Sequence, residues 1–396
     1  MTRASFSSKI VDRKFFKPKT SHEIFSKHGV SNMNKESIEL KIPSSVLKTL
    51  RENSGYSIDQ IAKKLKTSED RIKAVEEGIA SFTVIQIKKL SDVYHRPLAA
   101  FFETSPPEVS YALTDYRINR EKKLPSEVHL AKRRAYYLAK KIADLSGKKS
   151  QIPTFSDVLK GDELANEFRK YLNVEPVGFE KPENILAFYK EVLEEKLIIS
   201  IIEYPLKAND VRAFCISSDI SVIVLNENDN TRIKLFSLFH ELCHLLKRNS
   251  AICSIDIEAD TENEEVERYC DLFAAEFLVP KDSLKLEVEN LGILDWDAVS
   301  ELSNLYGVSK QVIMLRLLRL GKISIEGYRK FKESLNVEMF KKKGFGRRSW
   351  DKVFQNRVGN IAIREVRNAY HKGDIAFSEA INIMDMKTKY VEKFIA

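Results

Sequence analysis

One segment narrows the possible folds more than any other: TRIKLFSLFHELCHLLKR, Thr231 to Arg248. It holds neither proline nor glycine, and Ile233, Phe236, Phe239, Leu242 and Leu246 recur at helical spacing, so it predicts a helix buried along one side. Within it His240, Glu241 and His244 form an H-E-x-x-H string. Helical side chains four residues apart lie one above the other, about 5–6 Å between Cβ atoms, so the two imidazoles share a face and can converge on one ion. The plain alternative is core packing around two hydrogen-bonded histidines. The metal reading demands three things of the fold: the helix itself, a third ligand from another element, and a group that holds the rings in place.

The stretch NEEVERYCDLFAAEFLVP, residues 263–280, answers the second and third demands. Val266, Cys270, Phe273, Ala274, Phe277 and Leu278 trace an apolar helix face that ends at Pro280. Glu267 and Asp271 lie one turn apart on a common face of that helix. Glu267 is the expected third ligand, and Asp271 is expected to accept the free ring N–H of a metal-bound histidine. Glu264 and Glu265 fit the face less well. Two histidines and a carboxylate with a fourth position left to water is the donor set of a catalytic Zn²⁺ site, with Glu241 beside it as a proton acceptor that is not itself a ligand. The bland reading of the second stretch is a solvated acidic face.

A chain of 396 residues, 43% hydrophobic, has material for two or three cores. The longest apolar run, Leu197 to Ile202, falls far short of the roughly 20 residues needed to span a bilayer, so no membrane segment or export signal is expected. The four cysteines form no C-x-x-C pair, which suits reduced thiols and a cytoplasmic setting. A net charge of +8 permits attraction to nucleic acid without specifying it. Residues 1–40 read as a flexible basic arm; Asp12, Glu23, Glu36 and Glu39 argue against a transit peptide.

Residues 41–103 carry short helical patterns separated by turns: Ser44–Glu52, then IDQIAKKL capped by Ser57, then a helix capped by Ser68 and stopped at Gly78, with supporting helices at Thr83–Tyr94 and Pro97–Phe102. This arrangement, a helix-turn-helix unit, resembles the Xre/Cro family of phage-repressor-like DNA-binding domains. The resemblance implies that the helix after Ser68 enters a major groove, with Thr67, Ser68, Arg71 and Lys73 reaching bases or phosphates. Glu69, Asp70, Glu76 and Glu77 on the same helix oppose phosphate, so a protein-docking or dimerising unit, possible basis of a homodimer, stands beside the DNA reading.

The stretch ETSPPEVS opens a helical connector, residues 104–180, whose lysines and arginines read as solvated faces. A helix over Pro182–Lys196 leads to three apolar runs, LIISIIEY, VRAFCIS and ISVIVLN, the last two joined by a tight hairpin at Ser218-Asp219. They predict a small sheet, with ISVIVLN read as the edge that would hold an extended peptide and, alternatively, as a buried central strand. The expected peptidase unit covers residues 181–286, and a helical C-terminal domain follows over 287–396, including a second helix-turn-helix-shaped pair around Gly307 and Ser309 and a basic run, MFKKKGFGRRSW. The fold class is mainly α with a small β-sheet, α+β.

The motif Arg232, Phe236, Ser237, His240, Glu241, Leu242, His244, followed by Glu267, Arg268, Asp271, Phe273, Ala274, Ala275, Glu276, Leu278 and Pro280, resembles the ImmA/IrrE family of zinc metallopeptidases. Cys243 inside the motif and Cys270, where alanine is usual, depart from it and read as small packing residues, the alternative being a thiol beside zinc that makes the site oxidisable. The resemblance implies a zincin-like fold and a zinc-dependent endopeptidase of narrow specificity. In that family Glu241 would act as the general base on a partner regulator, often a helix-turn-helix repressor, coupled to transcriptional control. Tyr204 and Arg212 are the polar candidates for stabilising an oxyanion. The competing class is a DNA-binding regulator or antitoxin-like protein whose zinc fold binds a partner without cutting it.

Overall fold

The computed structural model describes residues 39–104, 124–174, 181–207, 211–247, 252–254, 261–338 and 349–396. Most of the expected basic arm, the prolines of ETSPPEVS and the basic run from Met339 lie outside the described residues.

The N-terminal unit starts with β1 (Glu39–Leu40), the last two residues of the expected arm. It continues through α1 (Ser44–Asn53), α2 (Ile58–Leu65), α3 (Glu69–Glu76), β2 (Phe82–Thr83) and α4 (Val84–Tyr94), and closes with a 3-10 turn at Leu98–Phe102. β1 and β2 pair antiparallel, Glu39 opposite Thr83. Val46, Leu50, Ile61, Ile72, Ile87, Leu90 and Phe101 form its core, the positions that the helical spacing singles out. Lys66 takes the left-handed conformation that ends α2, and the Ser68 hydroxyl accepts the Arg71 N–H to start α3.

The remainder is built on one four-stranded sheet. The elements are α5 (Ser126–Ser146), α6 (Gly161–Leu172), α7 (Pro182–Leu197), β3 (Ser200–Tyr204), β4 (Val211–Ile216), β5 (Val222–Asn226), α8 (Thr231–Leu246), β6 (Ile252–Ser254) and α9 (Thr261–Leu278). Then come α10 (Lys281–Leu291), α11 (Trp296–Leu305), α12 (Lys310–Arg319), α13 (Ile325–Glu338), α14 (Trp350–Val358), α15 (Asn360–Lys372), α16 (Phe377–Met384) and α17 (Thr388–Ile395). The strand order is β3-β5-β4-β6, with β3 parallel to β5 and the other pairs antiparallel.

Both faces of this sheet are covered. Ile201, Ala213, Cys215, Ile223 and Leu225 meet α6 to α9, α11 and α12. Ile202, Phe214, Ile216, Val222 and Val224 meet α5 and α14 to α17. That double burial is why the strands read as continuous apolar runs instead of alternating. It also corrects the expectation for ISVIVLN: β5 is fully buried and paired on both sides, so it has no free edge. A run apolar on both faces marks a strand covered on both sides of the sheet, whether central like β5 or outer like β3; β3 and β6 are the outer strands.

Three further expectations shift. α6, read as connector, packs Leu164, Ala165, Phe168 and Leu172 into the same core as α8 and α9, and Gly161 lets the backbones meet: a Cβ there would lie 2.5 Å from Tyr269 O. The pair α11–α12 joins that core through Leu302, Val308, Ile313 and Leu317. The basic side chains of α5 are not simply solvated. Arg133 donates to Tyr94 O, His95 O (3.1 Å) and Ser54 Oγ (3.2 Å), whereas Arg134 donates to Ile383 O (2.8 Å) and Met384 O (3.0 Å).

Candidate metal centre

Sequence-local signals place α8. Asn230 caps it by accepting the Ile233 N–H at 3.0 Å, and no breaker follows until the helix ends at Leu246. Its first turn is tied to the α11–α12 turn by Arg232, which donates to Ser303 Oγ, Val308 O (2.9 Å) and Asn304 Oδ1 (2.5 Å). Lys234 reaches Glu203 on β3 at 2.6 Å, and Lys190 of α7 reaches the same carboxylate at 3.4 Å. Burial pushes the Glu203 carboxyl up, but the two lysine charges outweigh it and hold it below the ordinary range. These three side chains fix α7, β3 and α8 relative to one another.

α9 is held just as firmly. Glu276 and Arg316 of α12 form an ion pair with both side chains about 95% buried, each 5% exposed. Arg316 Nε also donates to Val279 O at 3.0 Å, and Glu276 Oε1 accepts the Lys281 N–H at 2.9 Å. The glutamate of the A-A-E-x-L-x-P motif is therefore a fastener and not a ligand.

Between these two braced helices the predicted residues meet. His240 Nε2 lies 3.0 Å from Glu267 Oε2, His244 Nε2 lies 3.4 Å from Glu267 Oε1, and the two Nε2 atoms are 3.2 Å apart. His240 Nδ1 donates to Asp271 Oδ1 at 2.9 Å. Moving from residue 240 to 244 along α8 corresponds to moving from 271 back to 267 along α9, so the helices run antiparallel. One donor atom from each of His240, His244 and Glu267 lies within 4.8 Å of the others.

The donor set fits a small divalent cation. Zinc ligands at about 2.1 Å in tetrahedral array stand about 3.4 Å from each other, close to the 3.0–3.4 Å separations here. A neutral His240 that gives its Nδ1–H to Asp271 keeps its Nε2 lone pair turned toward His244 and Glu267. Glu267 stands against the Nε2 atoms of two buried rings, an arrangement that a cation compensates. Glu241 is 1% exposed and follows His240 directly in α8.

Not every candidate is brought here. Tyr204 lines a separate cavity of about 250 Å³ with His95, Arg134 and Asp385, and Arg212 pairs with Asp229 at 2.7 Å; neither contacts the histidines. On α3, Ser68 serves as helix cap, Arg71 donates to Glu39 (3.0 Å) and Ser81 O (2.8 Å), and Lys73 stands 3.7 Å from Asp70. Thr67 is half-buried beside them. Glu76, counted as opposing phosphate, instead pairs with Arg51 inside the unit at 2.6 Å. Cys270, read from the sequence chiefly as a packing residue, places its sulfur 3.6 Å from His244 Nδ1, a contact the sequence reading does not give. Its position beside Asp271 on a helix facing two ligands was the available signal.

Comparison with known proteins agrees with this anatomy. Residues 194–318 match the family model Peptidase_M78, described as an IrrE N-terminal-like domain, and residues 47–101 match the model HTH_3, a helix-turn-helix. The first match runs past residue 286 to take in α11 and α12. No curated protein matches the chain. Among solved structures, a Mycobacterium tuberculosis transcriptional regulator is similar at 15% identity and a TM-score of 0.29, over 47% of this chain and 50% of that one. The chain thus spans about half the length of that structure. By these matches the chain joins a helix-turn-helix segment to an IrrE N-terminal-like segment, the two units that its motifs imply.

Proposed function

We propose that this protein is a zinc-dependent endopeptidase of narrow specificity that acts on a partner regulator, a helix-turn-helix repressor being the expected kind. The convergence of His240, His244 and Glu267, with Glu241 in the same turn, carries the reading. His240, His244 and Glu267 would hold the ion, and Asp271 would orient His240. Bound zinc supplies Lewis acidity for peptide hydrolysis. Glu241 takes the proton of the attacking water and returns it to the leaving amine. An extended substrate would pair with β6, an outer strand of the sheet that lies between α8 and α9 in the chain.

The helix-turn-helix unit would bring the peptidase to its substrate or operator. Arg71 is engaged within the unit, which favours docking of a protein, whereas the inward pairing of Glu76 with Arg51 removes one carboxylate that would oppose phosphate. The buried thiols of Cys215, Cys243 and Cys270, none of them in a disulfide, suit a reducing, cytoplasmic setting.

The test incubates purified protein, and its Glu241→Gln variant, with the neighbouring gene's product and zinc. Cleavage by the first alone, with equal zinc bound to both, is the expected result. Equal behaviour of the two would instead favour a regulator that binds without cutting, which filter binding of upstream DNA would then assess.

A further inference from the structure

Asp271 accounts for only one of the two histidines. His240 gives it the Nδ1–H across 2.9 Å, so that Nε2 faces the converging donors. His244 needs a matching partner. It is 0% exposed, and its Nε2 already faces His240 Nε2 at 3.2 Å and Glu267 Oε1 at 3.4 Å, so its Nδ1 points back into protein. There it meets Cys270 Sγ at 3.6 Å, within reach of an N–H···S bond, and Cys270 is itself fully buried.

The placement follows from helix geometry. Residues 270 and 271 are consecutive on α9, about 100° apart around its axis, and the two rings are one turn apart on the antiparallel α8. Neighbouring side chains can therefore serve neighbouring rings, a carboxylate for the first and a sulfur for the second.

We propose that Cys270 is a positioning residue of the metal centre: its sulfur accepts the Nδ1–H of His244, which fixes the ring's tautomer and angle and leaves the Nε2 lone pair facing the ion. The inference rests on the zinc reading above. Cys270 acts through His244, so its loss appears in metal affinity and in the ring's spectrum before it appears in turnover.

The experiment titrates zinc against a chromogenic chelator with the unsubstituted protein, Cys270→Ala and Cys270→Ser, and records ¹⁵N–¹H spectra of the histidine rings in each zinc-loaded protein. Removing such a partner weakens metal binding about 10–100-fold, and a weak sulfur acceptor puts Cys270→Ala near the lower end, about tenfold. Cys270→Ser, whose hydroxyl also accepts, should stay within about threefold and keep the protected Nδ1–H signal of His244 that the alanine variant loses. Cys270→Val, which fills the site without an acceptor, takes the place of alanine if that variant does not fold. Zinc affinity unchanged in the alanine or valine variant, or weakened alike in serine and alanine, would overturn the proposal. If the unsubstituted protein binds no zinc, the parent reading falls and this one with it.

Discussion

Arg316→Met is the sharpest test of how the site is braced. The substitution keeps a long flexible side chain in the core but removes the charge that faces Glu276, leaving that carboxylate buried with the Lys281 N–H as its described partner. It also strips Val279 O of its 3.0 Å donor. Removing one member of a buried ion pair costs about 3–5 kcal/mol, because the remaining charge cannot be solvated. Adding Glu276→Gln takes away that orphaned charge while keeping an acceptor for the Lys281 N–H. The double variant should then lose only about 1–2 kcal/mol, the residue of unmet polar groups, and be more stable than the single one. Chemical unfolding of the zinc-free protein measures both. A cost for Arg316→Met below about 1 kcal/mol, or a double variant no better than the single, would refute the reasoning.

Other outcomes follow from the same structure. Gly161→Ala should destabilise by about 1–3 kcal/mol and lower the melting temperature, because its Cβ would stand 2.5 Å from Tyr269 O and force α6 off α9. Asp271→Asn should weaken zinc binding about 10–100-fold in a chelator competition, as the carboxylate that orients His240 is lost. Glu203 has a folded pKa held down by Lys190 and Lys234 against its burial, so its contribution to stability is present above its unfolded pKa and lost as pH falls through the folded value. Unfolding of Glu203→Gln between neutral and acidic pH should therefore show a shallower loss than the unsubstituted protein. Glu194, pushed up by burial, contributes with the opposite sign.

The helices and the meeting of His240, His244, Glu267 and Asp271 are legible in the sequence because their signals are local. Spacing in TRIKLFSLFHELCHLLKR, the Asn230 and Ser68 caps and the Glu267–Asp271 repeat depend only on residues a few positions apart. Strand order was not legible. An apolar run announces that a strand is covered on both faces but not which neighbours it pairs with, and β5 was misplaced at an edge for that reason. Charged residues with long-range partners misled in the same way. Arg134 binds carbonyls distant in sequence and Glu76 turns inward to Arg51, so their types alone suggest solvent for the one and a clash with phosphate for the other. The allotment of α6, α11 and α12 to the core that holds α8 and α9 depends on tertiary packing that no periodicity encodes.

The adjacent arginines of α5 have a consequence for the molecule as a machine. Arg133 grips the end of α4 and Arg134 grips the end of α16, and the imidazole of His129 sits against the Gly55 turn. The peptide backbone is thus not the sole tether between the helix-turn-helix unit and the sheet: a force that tilts that unit meets α5 through Arg133 and passes to α16 through the next side chain, Arg134.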